Sequence, residues 1–232
     1  MAVSQKVVVF VDPTTLTALK ELGYALYALK GFQTTNAQGK ALVWAETTAF
    51  AENTTFISTA EYEAYVTTGP VTNGGIVKTV TATALVAPGD IATFSANGLA
   101  VSAGGYPAGV TIVNTTTTPY TAGLSARSME MEGDFSPVAS VPLYGLSEDI
   151  VAPVDKFLVT FSTAGAQVGA PFPHSVTQSL LIDMTGQTLL EGAFDINTGW
   201  SFGDAAWGET IPAGADLFAV LVEETPLLAA DA

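Results

Sequence analysis

The sequence predicts a mainly β protein, an antiparallel β-sandwich with one short N-terminal α-helix. Three observations carry that expectation. The stretch from Pro153 to Gly186 holds two strong strand signals joined by a long, uncharged loop broken by Gly and Pro. From Ile76 onward, short β-rich runs end at Gly, Pro or Asn at regular spacing, the rhythm of a sandwich or barrel and not of alternating β and α elements. A single segment, Asp12 to Gly23, carries both a start and a stop for a helix.

Taken in order, Lys6 to Val11 is a β-rich run. Asp12 suits the helix cap, Pro13 the first helical position and Gly23 the stop, and Leu16, Ala18, Leu19 and Leu22 form an apolar stripe between them. Tyr24 to Phe32 and Ala41 to Thr47 read as a hairpin across Thr34–Gly39. Glu61 to Thr67 alternates, with Tyr62, Ala64 and Val66 on one face. Asn73-Gly74-Gly75 is a turn signal, because these residues tolerate positive φ. Residues 1–72 therefore read as a helix and strands packed on a sandwich formed by 73–225, with 226–232 as a flexible tail.

Within that sandwich the expected strands are Ile76–Leu85, Ile91–Ser95, Leu99–Ser102 and Gly109–Asn114. Met129 to Ser140 and a short Val141–Tyr144 strand, broken at Pro142, come next. Lys156 to Thr163 places Phe157, Val159 and Phe161 on one face, and Ser175 to Met184 follows the loop. Thr188 to Phe194 is expected to form a hairpin with that strand across Thr185-Gly186-Gln187. Trp200 and Trp207 flank a Gly-rich loop, and Asp216 to Glu223 reads as the last strand.

Composition narrows the function. Twenty-two Asp and Glu against 7 Lys and Arg give a net charge of −15, which disfavours nucleic acid and anionic bilayers as partners. Zwitterionic membranes, neutral glycans and other proteins stay open. Charged residues make up only 12% of the chain, about half the usual ~25%, so Thr, Ser, Asn and Gln must supply much of the polar surface. Without cysteine there are no disulfides, thiolate metal sites or cysteine nucleophiles. No stretch approaches the ~20 apolar residues of a membrane helix, and the apolar run near Met1 reads as a strand rather than a signal peptide. The expected location is the cytoplasm, or outside the cell after lysis or non-classical export.

Candidate sites are few. His174 is the lone histidine, and Gly123-Leu124-Ser125-Ala126-Arg127 lacks the closing glycine of a nucleophile elbow. Glu46 lies two residues after Trp44 and Glu209 two after Trp207, a pattern that suits an acid beside a sugar platform and keeps glycoside hydrolysis as a remote alternative. Glu130, Glu132 and Asp134 share a strand face by the period of two. Such a row is usually solvated, although calcium would relieve its repulsion, and calcium is the one cofactor considered. Thr-rich strands with few lysines suit regular packing against copies of the same chain.

Lys156-Phe157-Leu158-Val159-Thr160-Phe161-Ser162, a loop, and then Ser179-Leu180-Leu181-Ile182-Asp183 resemble the central passage of actinoporin-like cytolysins and fungal fruit-body lectins. Val110 to Thr115 is similar to the strand-plus-Asn start of their sandwich. Where that family's loop is rich in tyrosine and tryptophan for a choline head group, this loop supplies Phe172 and His174. The resemblance implies a non-catalytic, surface-binding β-sandwich that recognises lipid head groups or glycans and forms homo-oligomers. Phe172, His174, Trp200 and Trp207 are its expected contacts. The alternative is a structural, self-assembling protein of a filament, shell or virion.

Overall fold

The computed structural model describes residues 4–69, 75–77, 81–128, 134–203 and 206–224. The first part of the chain contains β1 (Ser4–Val11), α1 (Pro13–Glu21), β2 (Ala25–Thr34), β3 (Lys40–Ala41), β4 (Val43–Thr47) and β5 (Asn53–Thr67). Then come β6 (Ala82–Val86), β7 (Asp90–Ser95), β8 (Gly98–Ala103), β9 (Val110–Asn114), β10 (Tyr120–Ser128) and β11 (Phe135–Leu143). The last part holds β12 (Glu148–Ser162), β13 (Ser179–Asp183), β14 (Leu189–Asp195), β15 (Gly199–Ser201), β16 (Gly208–Ile211), α2 (Leu217–Leu221) and β17 (Val222–Glu224).

The fold is mainly β, two curled sheets packed face to face. The first sheet runs β15-β14-β1-β5-β10-β11-β3, with β6 also on β5. The second runs β16-β13-β12-β9-β7-β8, with β2 on the other edge of β12 and β4 and β17 beyond β2. Two 15-residue strands organise these sheets, because each is long enough to pair with different neighbours along one edge. β5 meets β1 over 53–59 and β6 over 62–66. β12 meets β9 over 148–151 and β13 over 156–160, while β2 follows its opposite edge across a bulge between Pro153 and Phe157. Alternation then aims Phe157 and Phe161 inward. Phe161 contacts Phe50, Phe194 and Trp200 at ring separations of 4.8–6.0 Å, and Phe157 meets the edge of Trp44 at 5.8 Å.

The helix forms where its signals lie. The Asp12 carboxylate accepts from the amides of Thr14 and Thr15, and the Thr15 hydroxyl, followed by these amides, holds its pKa below the usual carboxylate range. Gly23 follows the C-cap with φ of 73°.

Several expectations are corrected. Residues 1–72 are no extension laid on a finished sandwich: β1 and β5 lie inside the first sheet and β2 inside the second. β14 does not form a hairpin with β13. It crosses to the other sheet and pairs in parallel with β1, Val7 opposite Leu190, because the Gly186 turn redirects the chain between sheets. Residues 175–178 belong to the loop, and the strand starts only at Ser179. Pro142 sits within β11; its carbonyl accepts from the Asn36 side chain at 2.9 Å, so the missing N–H faces away from β10 and no ladder bond is lost. The run after Asp216 opens as α2, since that carboxylate caps the amides of Phe218 and Ala219, and a short apolar run does not by itself distinguish strand from helix. The strand expected from Ile76 is described as β6 alone, and residues 70–74 and 225–232 lie outside the described residues. Among the described residues no helix is long and apolar enough to cross a membrane.

Candidate functional site

The four expected contact residues do not converge. The loop 163–178 folds back over the outer face of the second sheet. It is tied to β4 by Val43 N–H donating to Ala170 O (2.9 Å) and Gly169 N–H donating to Val43 O (2.8 Å). Phe172 is only 2% exposed and stacks on Tyr27 at 5.1 Å. Burial, with Glu46 nearby, raises the Tyr27 phenol pKa. β2 carries apolar residues on both faces, so its outer face needs this cover. Trp200 lies between the sheets, 7% exposed, and its indole N–H donates to Gln178 O at 2.9 Å. In this conformation both rings are core residues and offer no contact surface. His174 is exposed at the end of the loop, with Nδ1 3.0 Å from Ala215 O. Trp207 is half-buried against Phe202, just before the edge strand β16.

Glu130 and Glu132 lie outside the described residues, and Asp134 is exposed just ahead of β11. Among the described residues no group of three His, Cys, Asp or Glu side chains is placed to hold a metal ion. Glu46 on β4 and Glu209 on β16 are four strand spacings apart in the second sheet, about 19 Å across it. A glycosidase pair needs roughly 5–9.5 Å, so these two carboxylates cannot work together.

A different surface emerges at one end of the sandwich, where four turns meet. They are 35–39, 95–98, 115–119 and 144–147, and none carries a charged side chain. Asn114, buried at the end of β9, ties two of them. Its Nδ2 donates to Thr118 O (2.8 Å) and Tyr144 O (3.0 Å), and its Oδ1 accepts from the Thr116 amide (2.9 Å) and hydroxyl (2.8 Å). Thr115 reaches the third, donating through N and Oγ1 to Phe94 O. The fourth touches through Gln38 Nε2, 3.4 Å from Tyr144 Oη. Gly145 is required by close approach, since a Cβ there would lie 2.3 Å from Thr117 O.

Held on this frame, Tyr144 is 52% and Leu146 70% exposed. Leu146 also has φ of 55°, the left-handed region that a leucine rarely adopts. Its amide donates to Thr116 O at 2.8 Å, which fixes the turn and directs the side chain to solvent. Strain combined with an exposed apolar side chain contributes nothing to the core, which marks the turn as a functional candidate. Asp149, behind this surface, is buried against Asn36 and Thr35, and its burial raises the carboxyl pKa.

The sequence carries a signal for this end that strand reading passes over. Residues 91–126 contain no Asp, Glu, Lys, Arg or His, a run of 36 residues in a chain of net charge −15. That run builds β7, β8, β9, two of the four turns and most of β10. No known family model, curated protein or solved structure matches the chain.

Proposed function

We propose that this protein is a non-catalytic, surface-binding β-sandwich that docks onto a zwitterionic lipid surface through its uncharged end. The observation that carries the reading is the exposed Tyr144–Leu146 turn, rigidly held among threonines in a set of turns that have no charged side chain of their own, with exposed Glu148 and half-buried Lys40 just beyond them. Tyrosine favours the head-group region, and leucine gains about 1.5–3 kcal/mol on leaving water. A polyol would gain little from the leucine, so lipid suits the turn better than glycan. The chain's net charge of −15 makes anionic lipid a poor target.

Leu146→Asn supplies a test that spares the fold, because Asn tolerates positive φ better than Leu. Its unfolding midpoint should match or exceed that of the parent chain. Its co-sedimentation with phosphatidylcholine vesicles should fall at least tenfold, as expected for about 1.4 kcal/mol of lost apolar transfer. Undiminished sedimentation would remove the turn from the binding surface.

A second reading, self-association, is favoured by β8. Among the described residues this six-residue strand is hydrogen-bonded to β7 alone, Ala100 to Ala103 are exposed, and it bears no charge to deter another copy. Repulsion between two chains of −15 is screened by salt. Light scattering should therefore show association that grows with NaCl and disappears in Val101→Lys; a monomer at all salt concentrations would rule it out.

A further inference from the structure

A polar cleft of about 410 Å³ opens between the two sheets, away from the four uncharged turns. Gln5 of β1, Ser58, Thr59 and Tyr62 of β5, and Asp155 of β12 line it, with Gln187 at its rim. Its volume falls in the ~300–1,000 Å³ range of small-molecule sites. Gln5 Nε2 donates to Asp155 Oδ1 at 2.9 Å, which orients both groups and leaves the amide oxygen and the second carboxylate oxygen as acceptors. Among the described residues the Thr59 hydroxyl has no hydrogen-bond partner, but it is closed off from solvent, so only other Thr59 atoms line the cleft.

The charge around the cleft is balanced. Behind Ser58, the ammonium of Lys30, itself 3% exposed, donates to Ser58 Oγ at 2.5 Å and lies over the Phe157, Trp44 and Tyr62 rings at 4.8–5.9 Å. Asp155 would repel an anion and Lys30 a cation, so neither kind of ion gains much there. Tyr62 adds an aromatic face and a hydroxyl. Among the described residues Asp155 is the sole carboxylate in the lining, so no second carboxylate there partners it in glycoside hydrolysis.

We infer that this cleft is a binding site for a small neutral polyhydroxylated ligand, a mono- or disaccharide, held by Asp155 and Gln5 against the Tyr62 ring. The ligand donates hydroxyls to the second Asp155 oxygen and the Gln5 amide oxygen and displaces water from the cleft.

The test is a titration of the full chain, followed by backbone amide NMR shifts, with methyl glycosides of glucose, galactose, mannose and N-acetylglucosamine and with maltose, lactose and cellobiose. Sodium phosphate and tetramethylammonium chloride serve as ionic probes. At least one saccharide should give saturable shifts confined to residues 57–62, 155 and 187. Gln5→Ala, on the solvent side, should weaken it about tenfold, the loss of one hydrogen bond between the ligand and the Gln5 amide oxygen. Thr59→Val should raise the ligand-free melting temperature, because a buried unsatisfied hydroxyl is gone, and leave saccharide binding unchanged. A Gln5→Ala protein that binds as tightly as the parent would overturn the inference. So would saturable shifts with phosphate or tetramethylammonium alone, or no response to any saccharide at about 50 mM, weaker than the millimolar affinities a site of this kind supports.

Discussion

Replacing Gly123 with alanine is expected to destabilise the fold by about 3 kcal/mol or more, at or beyond the upper end of ordinary overpacking. Gly123 lies in β10 opposite Ser140 of β11 and Tyr65 of β5. A Cβ at that position would sit 1.8 Å from Ala139 O and 2.7 Å from Tyr65 Oη. Those two atoms are themselves joined, Tyr65 Oη donating to Ala139 O at 2.8 Å. The methyl would push a strand aside and break that bond at once. Tyr65 is fully buried, and burial raises its phenol pKa strongly, so the broken hydroxyl has no water to turn to. Urea unfolding should show the loss as a lower midpoint. Gly69→Ala, where a Cβ meets nothing within 4 Å, should stay within about 0.5 kcal/mol of the parent. Near-equal midpoints for the two variants would refute the close approach of β5, β10 and β11.

The second large effect is on pH. Lys30 is buried between the sheets, and desolvation lowers its pKa to about 8, with Asp155 acting weakly in the opposite direction. In the unfolded chain the same amine titrates near 10.4. Between these values the unfolded state binds more protons than the folded one, so stability rises with pH from about 8 to about 10. Below pH 8 the full cost of a buried ammonium is present, about 3 kcal/mol at 1.36 kcal/mol per unit. Above pH 10 the sign reverses. Burial raises the Tyr62 pKa to about 12 and also raises those of Tyr27 and Tyr65, so the unfolded chain releases those protons first and stability falls. Urea midpoints across pH 7–11 should therefore pass through a maximum near pH 10. Lys30→Met keeps the volume and removes the charge, so its profile should be flat from 7 to 10. A parent profile equally flat over that range would contradict the buried ammonium.

How far the sequence was legible follows the range of the forces involved. The helix was readable from Asp12, Pro13 and Gly23 because capping is local. The inward face of β12 was readable from the period of Phe157, Val159 and Phe161, all fully buried. Pairing was readable only where it is local: the hairpin of β2 with β4 was, but β14 joins β1 across most of the chain and no local pattern records that partner. The contact loop misled for a related reason. Nothing near Phe172 announces that Tyr27, far earlier in the chain, needs its ring as a cover. Lys30 gave no signal either: a single lysine in an apolar run takes its meaning from Ser58, Phe157 and Asp155, brought by two other strands, β5 and β12. The uncharged end was the opposite case, written plainly in residues 91–126 as an absence of charge rather than as a motif.

The absence of cysteine makes the docking surface directly measurable, because any introduced thiol is the sole site of labelling. Leu146→Cys carries a polarity-sensitive fluorophore to the uncharged end. Leu22→Cys, 61% exposed and three residues before Ala25, which pairs with Ser162 at the far end of β12, carries it to the opposite end. With phosphatidylcholine vesicles, the label at 146 should brighten and shift to the blue while the label at 22 stays unchanged. An unchanged label at 146, or equal shifts at both positions, would contradict docking through this end of the sandwich.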